Sequence, residues 1–158
     1  MHVRGSPTRE ELSTFLSERT IPIRLGCRTP AGHPWMLSMW YQFCETTEDD
    51  SSAWTLHCAT EASAKVVDYL RADPALSFEV STNRMPYAGV RGRGHATIEP
   101  DPDKETLRTL IDRYLGDADS DLAHRLLGED RDEVTITIEP SVVYGWDFSG
   151  RMEADGTR

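Results

Sequence analysis

The sequence predicts a mainly β protein with helical insertions, arranged as an antiparallel barrel of six strands. Three observations carry that prediction. Apolar and polar residues alternate with a period of two in short stretches from Ile21 to Phe148, as half-buried strands do. Several links between those stretches have hairpin length and turn residues. A regular strand–helix repeat is absent, and so is a Gly-x-Gly-x-x-Gly turn, which sets aside a doubly wound nucleotide-binding domain. A chain of 158 residues is read most simply as one domain, 1–150, ending in a polar tail, 151–158, expected to be flexible.

Acidic side chains number 27 against 17 basic ones, a formal net charge of -10, so long-range electrostatics oppose a nucleic-acid partner. Cys27, Cys44 and Cys58 are an odd, widely spaced set inside apolar stretches. They predict buried free thiols in a reducing cytoplasm and no disulfide framework. No apolar run reaches the ~20 residues that span a bilayer, and Met1 to Pro7 lacks the apolar core of an export signal. The expectation is a cytoplasmic protein with neither a nucleic-acid nor a membrane partner.

Thr8-Arg-Glu-Glu11 is a capping-box pattern, and Leu12, Phe15 and Leu16 follow it at helical spacing. Ile21, Ile23, Leu25 and Cys27 alternate as a strand, and Thr29-Pro-Ala-Gly-His33 supplies a turn into its hairpin partner. That partner, Trp35 to Cys44, is read as one long strand. Trp35, Leu37, Met39, Tyr41 and Phe43 form one face; Met36, Ser38, Trp40, Gln42 and Cys44 form the other. An antiparallel strand normally keeps one wet face, so the second must be covered by a helix, a subunit or a flat ligand. Ser38 and Gln42 among apolar neighbours would suit a ligand with a polar rim. Glu45 to Ser52 reads as a solvated acidic loop.

The stretch from Trp54 to Leu70 organises the rest. Trp54, Leu56 and Cys58 alternate as a strand; then Thr60, Ser63 and Lys65 stand at the head of an amphipathic helix carrying Val66, Tyr69 and Leu70. A strand that turns into a helix start offers unpaired N–H groups and the positive end of the helix dipole. Two hydroxyls and an ammonium there make a place for a phosphate. A plainer reading of the same residues also stands, in which Thr60 or Ser63 caps the helix and Lys65 is a solvated charge.

Arg71-Ala-Asp-Pro74 ends that helix, and Leu76, Phe78 and Val80 alternate as the next strand. From Gly89 to Ile98 a small-residue face (Val90, Gly92, Gly94, Ala96, Ile98) opposes Arg91, Arg93, His95 and Thr97. Glycine inside a strand implies a close approach or a sharp bend. The cationic face either steers an anionic ligand, a role open to Arg91, or pairs with acids of a neighbouring strand, the reading preferred for Arg93. Lys104 to Leu115 is an amphipathic helix with Leu107, Leu110, Ile111 and Tyr114 on its stripe, and Asp119 to Leu127 is a shorter one. Their acidic outer faces read as solvated surface. Val134, Ile136 and Ile138 form the last strand; beyond Glu139-Pro140, Val142, Tyr144, Trp146 and Phe148 resume the same parity. Pro140 there requires a sheet edge or a bulge.

No His-x-His, His-Glu-x-x-His or Cys-x-x-Cys pair occurs, so no metal site is predicted. No Gly-x-Ser-x-Gly elbow, Walker loop or nucleophile–base pair stands out either, and hard chemistry is expected from a bound cofactor.

In the order of its pieces the chain resembles the FMN-binding split-barrel family related to pyridoxamine 5'-phosphate oxidase, from about Ile21 to Phe148. The pieces are the Ala31-Gly-His-Pro turn into a long apolar strand, Leu56 to Lys65 with its Ser-x-Lys, and Leu70 to Phe78 with Asp73-Pro-Ala75. Val90-Arg-Gly-Arg-Gly-His-Ala96 and the closing Glu139-Pro to Val143-Tyr-Gly-Trp-Asp-Phe148 complete them. The resemblance implies a homodimer with flavin sites at the subunit interface. It implies Ser63 and Lys65 as ligands of the FMN phosphate, with Thr60 in the same turn. It lays Leu37, Ser38, Met39 and Trp40 along the ring system and brings Trp146 from the partner subunit. The oxidase proper carries an arginine on the long strand where Leu37 stands here, and its C-terminal substrate pattern is absent from 151–158. That departure implies weaker FMN binding, a deazaflavin (coenzyme F-420) in its place, or Arg91 as a substitute. The function implied is an FMN-dependent oxidoreductase of undetermined substrate. The alternatives are a deazaflavin-dependent reductase or a flavin- or haem-binding protein without turnover.

Overall fold

The computed structural model describes residues 1–48 and 51–150; the tail at 151–158 lies outside the described residues. In chain order the elements are β1 (His2–Gly5), α1 (Arg9–Glu18), β2 (Ile23–Arg28), β3 (Pro34–Met39), β4 (Gln42–Glu48) and β5 (Ser51–Glu61). Then come α2 (Lys65–Ala72), β6 (Ala75–Ser81), β7 (Ala88–Pro100), α3 (Glu105–Tyr114), α4 (Asp121–Leu126) and β8 (Glu133–Asp147). The fold is mainly β, as expected, with eight strands where six were predicted. β1 is one addition, a short parallel partner of β8. The other arises because the long strand from Trp35 to Cys44 is two strands, interrupted at Trp40 and Tyr41.

That interruption defines the architecture. The sheet order is β3-β2-β6-β7-β8-β5-β4, so its two edge strands are consecutive in the chain. β3 pairs with β2, and β4 pairs with β5, both antiparallel. The sheet curls until its edges are joined by two residues of covalent chain and no hydrogen-bond ladder. This is a split β-barrel. The acidic stretch expected as a loop belongs mostly to β4 and β5; only its tip, 49–50, lies outside the described residues.

Alternation fills the interior. Ile23, Leu25, Tyr41, Leu56, Cys58, Val80, Val90, Ile136 and Ile138 are buried in one cluster with Val66, Val67 and Leu70 of α2. On β7 the small face lies inward, with Val90, Gly94 and Ala96 buried, while Arg91, Arg93, His95 and Thr97 are exposed. Gly94 lies so close to β8 that a Cβ there would meet the Glu139 carbonyl oxygen at 2.2 Å.

β8 corrects the predicted parity. Arg93 pairs with Val142 and Gly94 with Pro140, so Ser141 is a bulge; its hydroxyl donates to the Arg93 carbonyl at 3.0 Å. The extra residue shifts the alternation by one. Val143 and Gly145 therefore face inward, and Tyr144 lies on the outer face, against the expectation that it would share a face with Ile138. Pro140 itself falls between the end of the β5 pairing at Ile138 and the start of the β1 pairing at Val142, where its missing N–H removes no ladder bond.

α1 begins with the expected capping box: Thr8 Oγ1 accepts from the Glu11 N–H, and the Thr8 N–H donates to Glu11 Oε2. Its other end is held by α3. The Arg113 guanidinium donates to the carbonyls of Ser17 (2.7 Å), Arg19 (2.8 Å) and Leu16 (3.1 Å), closing helix-end acceptors that no backbone N–H reaches.

Candidate functional site

Two strand edges face one cleft where the barrel is split. β3 is an edge strand, and the β4–β5 ladder ends at Gln42 and His57, leaving Cys58–Glu61 of β5 bonded on the β8 side. Leu37, Ser38, Met39 and Trp40 line one side of a cleft of about 450 Å³, and Ala59 and Thr60 line another. Unpaired backbone groups on such edges are ready hydrogen-bonding partners for a ligand. Leu107 and Leu110 of α3 with Leu122 and Leu126 of α4 form an apolar wall. The cleft falls within the size range of small-molecule sites, and its lining is of their type: mostly apolar with few polar groups.

Arg131 and Glu133, the ionisable side chains among the described lining residues, pair through one carboxylate oxygen, while Glu133 Oε2 is buried with no hydrogen-bond partner. Glu133 is buried at 4% exposure, and Arg131 donates to its Oε1 through Nε and Nη2, each at 3.0 Å. Arg131 Nη1 also lies 3.7 Å from Glu61 Oε2. Among the described residues, the cleft lining therefore carries no uncompensated positive charge.

Trp40 takes its position from α3. Its ring stacks on Tyr114 at 5.2 Å with planes 10° apart. The Tyr114 hydroxyl accepts from the Tyr41 N–H (3.3 Å) and donates to the Ile21 carbonyl (3.2 Å), bridging the backbone at the split. Burial pushes the Tyr114 phenol above its ordinary range, so it stays protonated and keeps donating. The second apolar face of Trp35–Cys44 thus has two fates. A helix covers it at Trp40, whereas Met36, on β3, is 72% exposed.

Ser63 and Lys65 come shortly after Thr60, at the start of α2, and both are exposed. The N-cap is Ala64, whose side chain makes no capping hydrogen bond, which corrects the reading of Thr60 or Ser63 as the cap. Backbone bonds from Ala62 N–H to Asp132 and from Ala64 N–H to Glu61 place the capping position one residue beyond the Ser63 hydroxyl. Ser63 Oγ instead donates to Glu61 Oε1 at 2.9 Å. The Lys65 ammonium has no hydrogen-bond or ion-pair partner among the described residues. An uncapped helix start with a free ammonium can receive an anion.

Arg91 and Trp146 lie apart from the cleft within one copy. The Arg91 guanidinium sits 5.4 Å from the Trp146 ring centroid on the outer face of β7 and β8. Arg91 also borders a shallow depression of about 500 Å³ that crosses the outer sheet face between Met36 and Tyr144. Across that face the register aligns Ser38, Arg24, Glu79, Arg91 and Tyr144 in one row. Arg93 has Ser77 and Val142 as cross-strand neighbours, so the acidic partner expected for it is not found among the described residues. Glu79 pairs with Arg24 at 3.7 Å instead.

Arg131, Glu133 and the leucines of α3 and α4 escaped the sequence reading as site residues. Leu107 and Leu110, and Leu122 and Leu126, have the spacing of a helical stripe, which identifies a buried face but not the surface it meets.

No protein-family model matches the sequence, and no curated protein matches it. Solved structures do share its fold. A conserved hypothetical protein of Mycobacterium tuberculosis superposes with a TM-score of 0.68 at 21% identity, covering 90% of this chain and 86% of that one. An F-420 reductase does so at 0.63 and 24% identity, covering 87% and 98%. A FAD-binding protein of Mesorhizobium loti does so at 0.58 and 18% identity, covering 88% and 94%. At these identities the likeness is one of fold, and the chain shares the split-barrel fold of these structures.

Proposed function

We propose that this protein is a flavin-binding oxidoreductase of the pyridoxamine 5'-phosphate oxidase-like class, holding FMN or a deazaflavin at a homodimer interface. The observation that carries this reading is the split itself. Two open strand edges, Leu37–Trp40 and Ala59–Thr60, border one apolar-walled cleft, and an uncapped helix start with an unpaired Lys65 follows Thr60 in the chain. These residues fit a flat ring with polar edges and an anionic tail. Backbone groups of the edges would hold the ring, and Thr60, Ser63 and Lys65 the tail. When bound, such a ring supplies hydride transfer; the protein supplies position and a cleft that limits water. Arg131 engages Glu133 through Oε1 only; Glu133 Oε2 is buried without a hydrogen-bond partner and is an open proton-accepting atom among the described lining residues.

The homodimer rests on the outer sheet face. Met36 at 72% and Tyr144 at 37% are large apolar side chains that a single copy leaves in water on that face. A second copy seated there would cover them and bring its Arg91 and Trp146 toward the first copy's β3. A deazaflavin is the runner-up cofactor because Leu37 offers no charge to a phosphate. A binding protein without turnover would use the same cleft.

The visible spectrum of the purified protein, with co-purifying small molecules identified by mass, tests the reading. A flavin or deazaflavin spectrum that bleaches on adding NAD(P)H or reduced deazaflavin supports the oxidoreductase. A bound chromophore that neither donor reduces supports the carrier. A protein that takes up neither cofactor on titration contradicts both.

A further inference from the structure

We infer that the molecule meeting the cofactor in the cleft is a small, uncharged and largely apolar compound, not a phosphorylated or carboxylated one. As a statement about the substrate this rests on the flavin reading. As a statement about what the cleft binds, it stands on the cleft alone.

Two helices build one wall of the cleft. Leu107 and Leu110 reach the cleft from α3, and Leu122 and Leu126 from α4. These helices lie in the connection between β7 and β8; Leu107 belongs to the small core with Ile111 and Ala123, Leu126 packs on it, and both also border the cleft, so the wall is continuous with that core. Leu122 is 39% exposed, an apolar side chain left at the opening in a helix whose other residues include Asp121, His124 and Arg125. Exposed leucine at such a site costs free energy until an apolar surface covers it.

Charge in the cleft favours the same class of compound. An anionic substrate needs a cation that is free to receive it. Among the residues lining the cleft the one cation is Arg131, and it already serves Glu133 and Glu61. Recruiting Arg131 to a substrate carboxylate or phosphate would leave Glu133, at 4% exposure, with its charge buried and unpaired, a change that costs more than a new surface contact returns. An uncharged compound makes no such demand. Size agrees: about 450 Å³ falls in the range of small-molecule sites.

The test is direct binding to the full-length, cofactor-free protein, with the neutral solvatochromic dye prodan as probe and pyridoxal 5'-phosphate as the anionic competitor. Prodan fluorescence should shift to the blue with a saturable stoichiometry of one per protomer, and excess pyridoxal 5'-phosphate should not displace it from Lys65→Ala, in which the site proposed for the cofactor's anionic tail is removed. Leu122→Asp places a charge in the apolar wall and should weaken prodan by roughly tenfold or more, whereas Leu122→Met should leave its affinity within about threefold. Because Leu122 is partly exposed, both variants are expected to fold, and far-ultraviolet circular dichroism checks that. The inference is overturned if prodan shows no saturable shift, if Leu122→Asp binds it unchanged, or if pyridoxal 5'-phosphate displaces it stoichiometrically from Lys65→Ala. FMN and deazaflavin titrations of the same samples keep the two readings apart. Prodan binding without flavin binding sinks the oxidoreductase and spares the cleft; flavin binding without prodan binding does the reverse.

Discussion

Trp40 stacks on Tyr114 at 5.2 Å, at the point where the chain leaves one edge of the sheet for the other. The contact ties the two-residue join of the barrel to α3, and the Tyr114 hydroxyl completes it by bridging Tyr41 N–H and Ile21 C=O. Tyr114→Phe keeps the stack and removes only the bridge. Two backbone groups then lose a partner in a half-buried place, and stability should fall by about 1–3 kcal/mol. Urea unfolding followed by tryptophan fluorescence measures it; an unchanged midpoint would mean water replaces the hydroxyl without loss.

Arg113 should matter at least as much. One guanidinium serves three carbonyls at the end of α1, a geometry that a single ammonium does not reproduce. Arg113→Ala is expected to destabilise by about 2–3 kcal/mol, and Arg113→Lys to recover less than half of that. Full recovery by lysine would show that charge near the helix end, not the fork, is what counts.

Much of this fold is legible in the sequence, and what is not has identifiable physical causes. The capping box at Thr8 and the alternation on β7 are local patterns, and the structure keeps both. The break at Trp40–Tyr41 is not local. The residues before and after it alternate without a flaw, and only pairing with different strands, β2 and β5, makes them two elements. The parity shift on β8 depends on Ser141 being skipped by β7; Pro140 marks an edge or a bulge in the sequence, but not which residue the ladder skips. The site divides the same way. Leu37 to Trp40 and Thr60 were readable because a strand and a strand-to-helix turn are continuous in sequence. The leucine wall and the Arg131–Glu133 pair come from the far end of the chain and meet the cleft only through the tertiary fold.

Stability should have a plateau bounded by buried groups. Burial pushes the Cys58 thiol up to about 12 from an ordinary 9.0, and raises Cys27, Cys44, Tyr41 and Tyr114 as well. The unfolded chain therefore loses protons above pH 9 that the folded one keeps, so stability falls as pH rises from there. Burial lowers His57 below its ordinary 6.5, between the hydroxyls of Thr55 and Thr137. Below that pH the unfolded chain binds a proton that the folded one resists, so stability falls again. Urea midpoints measured from pH 5 to pH 10.5 should rise and then decline, and His57→Gln should flatten the acid side.

Met36→Asp separates the dimer from the monomer. In one copy Met36 is 72% exposed, and a charge there should leave folding within about 0.5 kcal/mol of the parent. If a second copy covers it, the variant should run as a monomer in light scattering and bind flavin more weakly. A parent protein with the mass of one chain would contradict the interface.

The most direct measurement is a fluorescence titration of FMN, and separately of deazaflavin, into the parent protein and into Lys65→Ala. The account predicts saturable binding of at least one of the two, one per protomer. It predicts a loss in Lys65→Ala of about 1.5–3 kcal/mol, roughly tenfold to a hundredfold in Kd, because an ammonium at an uncapped helix start holds the anionic tail. Equal dissociation constants for parent and variant, or no binding of either cofactor, would contradict it.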